Sequence, residues 1–135
     1  MERQKKIVDA SIIVKWFSKE DQSVEAVELR DRHINGEVEL VVPELVFMET
    51  LNALRYKKLK PKILDKINKD LWNVQLEVVG LSDYLLSKAI EFSIRNDLSI
   101  YDAVYVALSQ VYEAEFITAD KKLLELPNSI SLDRF

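Results

Sequence analysis

The chain alternates short apolar runs with longer stretches in which apolar residues return every three or four positions. Ile7-Val8 reads as a short buried strand ending at Asp9, followed by a helix near Ser11–Ser18. A charged helix runs from about Gln22 to Ile34, and Asn35-Gly36 supplies its C-cap. Val38–Val42 is the second strand. Pro43 stands just before, or in the first turn of, a helix that continues to about Leu59. Pro61 opens another helix to about Asn73, and Leu76–Val79 is a strand. Ser82–Asn96 and Tyr101–Tyr112 read as helices, with Glu115–Thr118 a strand after them. Asp120–Leu126 is a short helix, and Ile130–Leu132 is a last edge strand. Such alternation predicts an α/β fold with a mainly parallel sheet covered on both faces.

No Ser/Gly linker, low-complexity tract or internal repeat interrupts this pattern, so residues 1–135 read as one domain. That length supports one real core and is too short for two comfortable ones. No apolar run approaches a membrane span, and Met-Glu-Arg-Gln-Lys-Lys leads into a strand rather than a signal peptide. With no Cys, disulfides and thiolate metal sites are excluded, and a cytoplasmic enzyme is the expectation. The net charge of −4 argues against a protein that coats nucleic acid through bulk electrostatics. It does not argue against a nuclease, because carboxylates filled by divalent ions reverse the local sign.

The candidate chemistry lies in four acids, Asp9, Glu49, Asp102 and Asp120, each within a mostly apolar stretch. In parallel α/β sheets, sites form outside the carboxyl ends of the strands. Asp9 and Asp120 follow the apolar runs Ile7-Val8 and Phe116-Ile117, so both belong at that edge. A helix leading into a parallel strand begins at the same edge, which brings in Asp102 from the first turn of its helix. Glu49 lies about two turns into the helix after Val38–Val42, and helical side chains lean back towards the N-terminus. Carboxylates converging without Cys, and with one His in the chain, suggest a site for hard divalent cations such as Mg²⁺ or Mn²⁺.

Each acid also has a structural reading. Asp9 and Asp120 suit helix N-caps, and Ser99-Ile100-Tyr101-Asp102 has the spacing of a capping box. Glu49 shares a helical stripe with Leu45, Val46, Ala53 and Tyr56, with Asn52 beside it. The opposite stripe, Phe47, Leu51 and Leu54, is apolar too, so periodicity leaves open which side covers the sheet. Ser11 and Thr118 stand two residues from Asp9 and Asp120, where their hydroxyls can support the carboxylates or bond locally at a turn. His33, alone in a charged helix, reads as a surface residue. The basic run Arg55–Lys62 is either a solvated helix end or a phosphate-guiding strip.

Together these segments resemble the PIN-domain ribonucleases, and most closely the VapC-like toxins of toxin–antitoxin pairs. The likeness rests on Val8-Asp9-Ala10-Ser11, on Pro43-Glu44-Leu45 with Glu49-Thr50-Leu51-Asn52-Ala53-Leu54, on the run Leu98–Leu108 containing Ser99 and Tyr101-Asp102-Ala103, and on Phe116-Ile117-Thr118-Ala119-Asp120. The resemblance implies a three-layer α/β/α sandwich. It also implies a Mg²⁺- or Mn²⁺-dependent endoribonuclease whose metal-binding, catalytic acids match Asp9, Glu49, Asp102 and Asp120. Ser11 and Thr118 match supporting hydroxyl positions, and Asn52 and Ser99 match polar positions near the acidic cluster. An RNA substrate, a homodimer and a cognate antitoxin protein are implied as well. Some relatives carry a further acid just after the last Asp, where this chain has Lys121-Lys122-Leu123.

A phosphatase of the haloacid dehalogenase type needs a second Asp two residues after the first, where Ser11 stands. A receiver domain needs a phospho-acceptor Asp after a middle strand, and Val78-Val79-Gly80 offers none. The remaining rivals are a catalytically silent RNA- or protein-binding member of the same fold and a purely structural partner.

Overall fold

The computed structural model describes residues 3–135; Met1 and Glu2, the start of the expected domain, lie outside the described residues. The chain runs β1 (Gln4–Val8), α1 (Ala10–Phe17), α2 (Ser23–Ile34), β2 (Val38–Pro43), α3 (Leu45–Arg55) and α4 (Pro61–Asn73). It continues through β3 (Glu77–Val79), α5 (Asp83–Asn96), α6 (Ile100–Tyr112), β4 (Glu115–Ile117), α7 (Lys121–Leu124) and β5 (Ser129–Ile130).

The strands form one five-stranded sheet in the order β3-β2-β1-β4-β5. Every pairing is parallel, with Ile7 opposite Val41 on one side and Phe116 on the other. From β1 the chain steps outward to β2 and β3, then returns to the far side of β1 for β4 and β5. Right-handed crossovers therefore place α1–α4 on one face and α5–α7 on the other, which gives the three-layer α/β/α sandwich. The reversal makes the gap between β1 and β4 a topological switch point, where such sheets open a crevice at their carboxyl edge.

The inner strands are covered on both faces and read as continuous apolar runs. Ile7, Val8, Leu40, Val41, Val42, Phe116 and Ile117 are all buried. The amino end of β1 is more polar than Ile7-Val8 suggests, and ion pairs explain why it is still strand. Lys5 Nζ lies 2.7 Å from Glu77, and Lys6 Nζ lies 2.7 Å from Glu115, so each cation is matched across the sheet.

Helix α3 ends at Arg55 rather than near Leu59, because Lys58 turns the chain with φ of 62°. Its buried face is Val46, Phe47, Thr50 and Leu54, which takes residues from both of the stripes expected to compete. Glu49 sits half-buried on the flank of that face, while Met48, Asn52 and Tyr56 are exposed.

His33 is not a surface residue. It is 6% exposed, and it shares the inner stripe of α2 with Ala26 and Leu29 at i, i+3 and i+7 spacing. The Leu40 amide donates to its Nδ1 at 3.0 Å, and its Nε2 lies 3.1 Å from the Gln75 carbonyl. A carbonyl only accepts, so the proton sits on Nε2 and the ring bridges α2, β2 and the turn before β3.

Candidate active site

Asp9 leaves β1 at its carboxyl edge and takes the N-cap position of α1, yet its side chain makes no capping hydrogen bond. The carboxylate turns instead to the neighbouring strand end. Ser11 donates to Oδ1 at 2.5 Å, and Thr118, from the segment after β4, donates to Oδ2 at 2.6 Å. The two hydroxyls are themselves held from the other side: Ala119 N–H donates to Ser11 Oγ at 3.0 Å, and Asp120 N–H to Thr118 Oγ1 at 3.1 Å. Both Asp9 and Thr118 are buried. Burial pushes the Asp9 carboxyl up to about 6, against the pull of the two hydroxyls, and the charge of Asp102 adds to the rise.

Asp120 caps α7, accepting from the Lys122 amide at 2.9 Å and the Leu123 amide at 3.4 Å. Asp102 stands in the first turn of α6, where Ser99 Oγ accepts from its backbone amide at 3.0 Å. Its carboxyl is raised by burial and by Asp120, while Ser99 and Lys122 pull it down. Lys122 thus offsets part of the charge; its ammonium donates to the Asp97 carbonyl at 2.5 Å.

Glu49 reaches the same group from α3. Its carboxyl is raised by burial and by Asp102, and is lowered by a hydrogen bond from Tyr105. The Tyr105 hydroxyl donates to Glu49 Oε1 at 2.5 Å. Tyr105 is a residue that sequence reasoning passes over. A signal was there: a buried phenol on an otherwise apolar helix face requires a partner for its O–H. Burial and the Glu49 charge raise the phenol, so it stays a donor.

Asp102 is thus the electrostatic hub, raising Asp9 and Glu49 while being raised by Asp120. Among the described residues none of the four acids forms an ion pair with a basic side chain. Nor do any three His, Cys, Asp or Glu of the described residues lie close enough together to hold one ion as they stand. Asn52 is exposed, and among the described residues its side chain makes no hydrogen bond to an acid. The basic run Arg55–Lys62 spans the last residue of α3, the loop after it and the start of α4, and Lys57 pairs with Glu20 at 3.1 Å. No helix of the described residues is long and apolar enough to cross a membrane.

Comparison with known proteins identifies the family. The PIN domain family matches residues 6–128. Ribonuclease VapC3 of Pyrobaculum aerophilum is 28% identical over 127 residues, covering 90% of this chain and 93% of the relative. The crystal structure of PAE2754, also from Pyrobaculum aerophilum, superposes with a TM-score of 0.74 at 18% identity, covering 96% of this chain and 85% of its own. A toxin–antitoxin complex from Klebsiella pneumoniae does so at 0.72 and 15% identity, covering 94% and 97%. With the family matched across nearly the whole sheet and all four acidic segments, the chain belongs to the PIN domain family.

Proposed function

We propose that the protein, acting as a single domain of residues 1–135, is a divalent-metal-dependent endoribonuclease and the toxin of a toxin–antitoxin pair. The observation that carries this reading is the set of acids Asp9, Glu49, Asp102 and Asp120, without an ion-pair partner among the described residues, in which Asp102 raises Asp9 and Glu49 and is itself raised by Asp120. A ribonuclease among the relatives and a toxin–antitoxin complex among the structural neighbours supply the substrate and partner classes.

The donor set fits a hard cation, because every candidate ligand is a carboxylate oxygen and the His ring is committed elsewhere. In this reading Asp9, Asp102 and Asp120 hold Mg²⁺ or Mn²⁺ directly, and Glu49 either joins them or orients the attacking water. The chemistry such an ion supplies is activation of water and neutralisation of charge on the leaving oxygen. Ser11 and Thr118 orient the Asp9 carboxylate, and Ser99 fixes the turn that presents Asp102. Hydrolysis joins the water oxygen to phosphorus, breaks the bond to the leaving ribose oxygen, and returns a proton to that oxygen. The enzyme works in the cytoplasm as a homodimer, and its antitoxin covers the acidic edge. A catalytically silent binding module is the second reading, favoured by the spread of the acids beyond one ion's reach.

The test is cleavage of a mixed-sequence RNA with Mn²⁺, with EDTA, and by the Asp102→Asn variant. Metal-dependent cutting that disappears in the variant is expected. Equal behaviour of wild type and variant would overturn the assignment in favour of binding alone.

A further inference from the structure

We infer that Tyr105 is a positioning residue for the acidic site: its hydroxyl holds the Glu49 carboxylate in place for the cation. The inference rests on the metal-dependent reading above and deepens it. Tyr105 lies on α6 one turn beyond Asp102, so one helix carries both an acid of the cluster and the group that orients another. The hydrogen bond joins α6 to α3 across 56 residues of sequence and from the opposite face of the sheet.

Three observations make this contact more than a satisfied core phenol. First, the ring cannot drift: it is 1% exposed and stacks on Phe116 of β4 with ring centroids 5.9 Å apart and planes 5° apart. Second, Phe116 belongs to the strand that leads to Thr118 and Asp120, so the phenol is braced by the segment that completes the cluster. Third, among the described residues no basic side chain pairs with Glu49, and the phenol is the donor that fixes its direction. A carboxylate on a long, half-buried side chain loses rotamer freedom when it binds an ion, and a donor that fixes it beforehand removes part of that cost.

The experiment is a double-mutant cycle read by Mn²⁺ binding, using calorimetry and the Mn²⁺ resonance signal on the intact chain. Tyr105→Phe keeps the ring and its stack on Phe116 and deletes only the donor; circular dichroism and thermal melting check its fold. Mn²⁺ affinity is expected to fall roughly ten- to a hundred-fold, the usual cost of losing a partner of a metal ligand. In a Glu49→Ala background, Tyr105→Phe is expected to change nothing further. Unchanged affinity in Tyr105→Phe, or an equal loss in both backgrounds, would overturn the role of Tyr105 while leaving the metal site standing. Folded wild type that binds no Mn²⁺ overturns the metal-dependent reading and this inference with it.

Discussion

Thr118 donates its hydroxyl to Asp9 across 109 residues of sequence, joining the ends of two adjacent parallel strands at 2.6 Å. That bond, with its Ser11 counterpart, makes Asp9 part of both strand ends rather than a cap of α1 alone.

Thr118→Val keeps the shape of the side chain and leaves a buried carboxylate oxygen without its donor. Stability is expected to fall by about 1–3 kcal/mol, the usual cost of an unsatisfied buried polar group. Urea denaturation at neutral pH measures it. A loss below about 0.5 kcal/mol would show that the contact carries little of the fold.

The buried Asp9 carboxyl sets a pH dependence with a definite sign. It holds its proton in the native state up to about 6, against 3.8 for an ordinary aspartic acid. Between those values the native protein binds more protons than the unfolded chain, so stability falls as pH rises through 6. At about 1.4 kcal/mol per pH unit, the decline is on the order of 2–3 kcal/mol. The half-buried Glu49 and Asp102 are raised too and act in the same direction. Denaturation in EDTA at pH 4.5 and pH 8 measures the slope, and Asp9→Asn is expected to flatten it. A wild-type curve that rises over this range contradicts the assignment.

On the metal-dependent reading, divalent cations are expected to reverse that trend, because they would bind the ionised carboxylates. At a concentration of about 100 times its dissociation constant, Mn²⁺ is expected to stabilise the fold by roughly 2.7 kcal/mol. Asp9→Asn and Asp102→Asn should lose most of the gain. Thermal melts with Mn²⁺ and with EDTA provide the comparison, and equal gains in wild type and variants would place the ion elsewhere.

His33 offers the control. His33→Ala strands the Leu40 amide and the Gln75 carbonyl and opens a cavity beside β2. A destabilisation of about 2–4 kcal/mol is expected, with RNA cleavage per folded molecule unchanged. Cleavage that falls more than the folded fraction would mean that His33 reaches the site.

Periodicity and apolar runs are enough to locate the inner strands, because strands buried on both faces of a parallel sheet require them. The ends differ where polar residues do work that a pattern cannot display. Lys5 and Lys6 belong to β1 because Glu77 and Glu115 meet them from strands far away in sequence. His33 is hidden for the same reason: its partners lie in β2 and in the turn before β3, and only its spacing from Ala26 and Leu29 hints at burial. The carboxyl-edge positions of Asp9 and Asp120 follow from strand order alone. Tyr105 does not, because it meets Glu49 from the opposite side of the sheet. The capping roles also coexist with the acidic edge: Asp120 caps α7 while its charge bears on Asp102.

One of the two hydroxyls that steady Asp9, and the last of the acids, come from the segment after β4, at Thr118 and Asp120. A growing polypeptide on the ribosome therefore carries Asp9 and Glu49 well before the segment that completes their edge has been made. Until β4 has emerged and docked against β1, the chain is a scatter of carboxylates with no shared edge. The carboxyl edge is therefore complete only once the strand that neighbours β1 in space, but follows it by about a hundred residues in sequence, has docked.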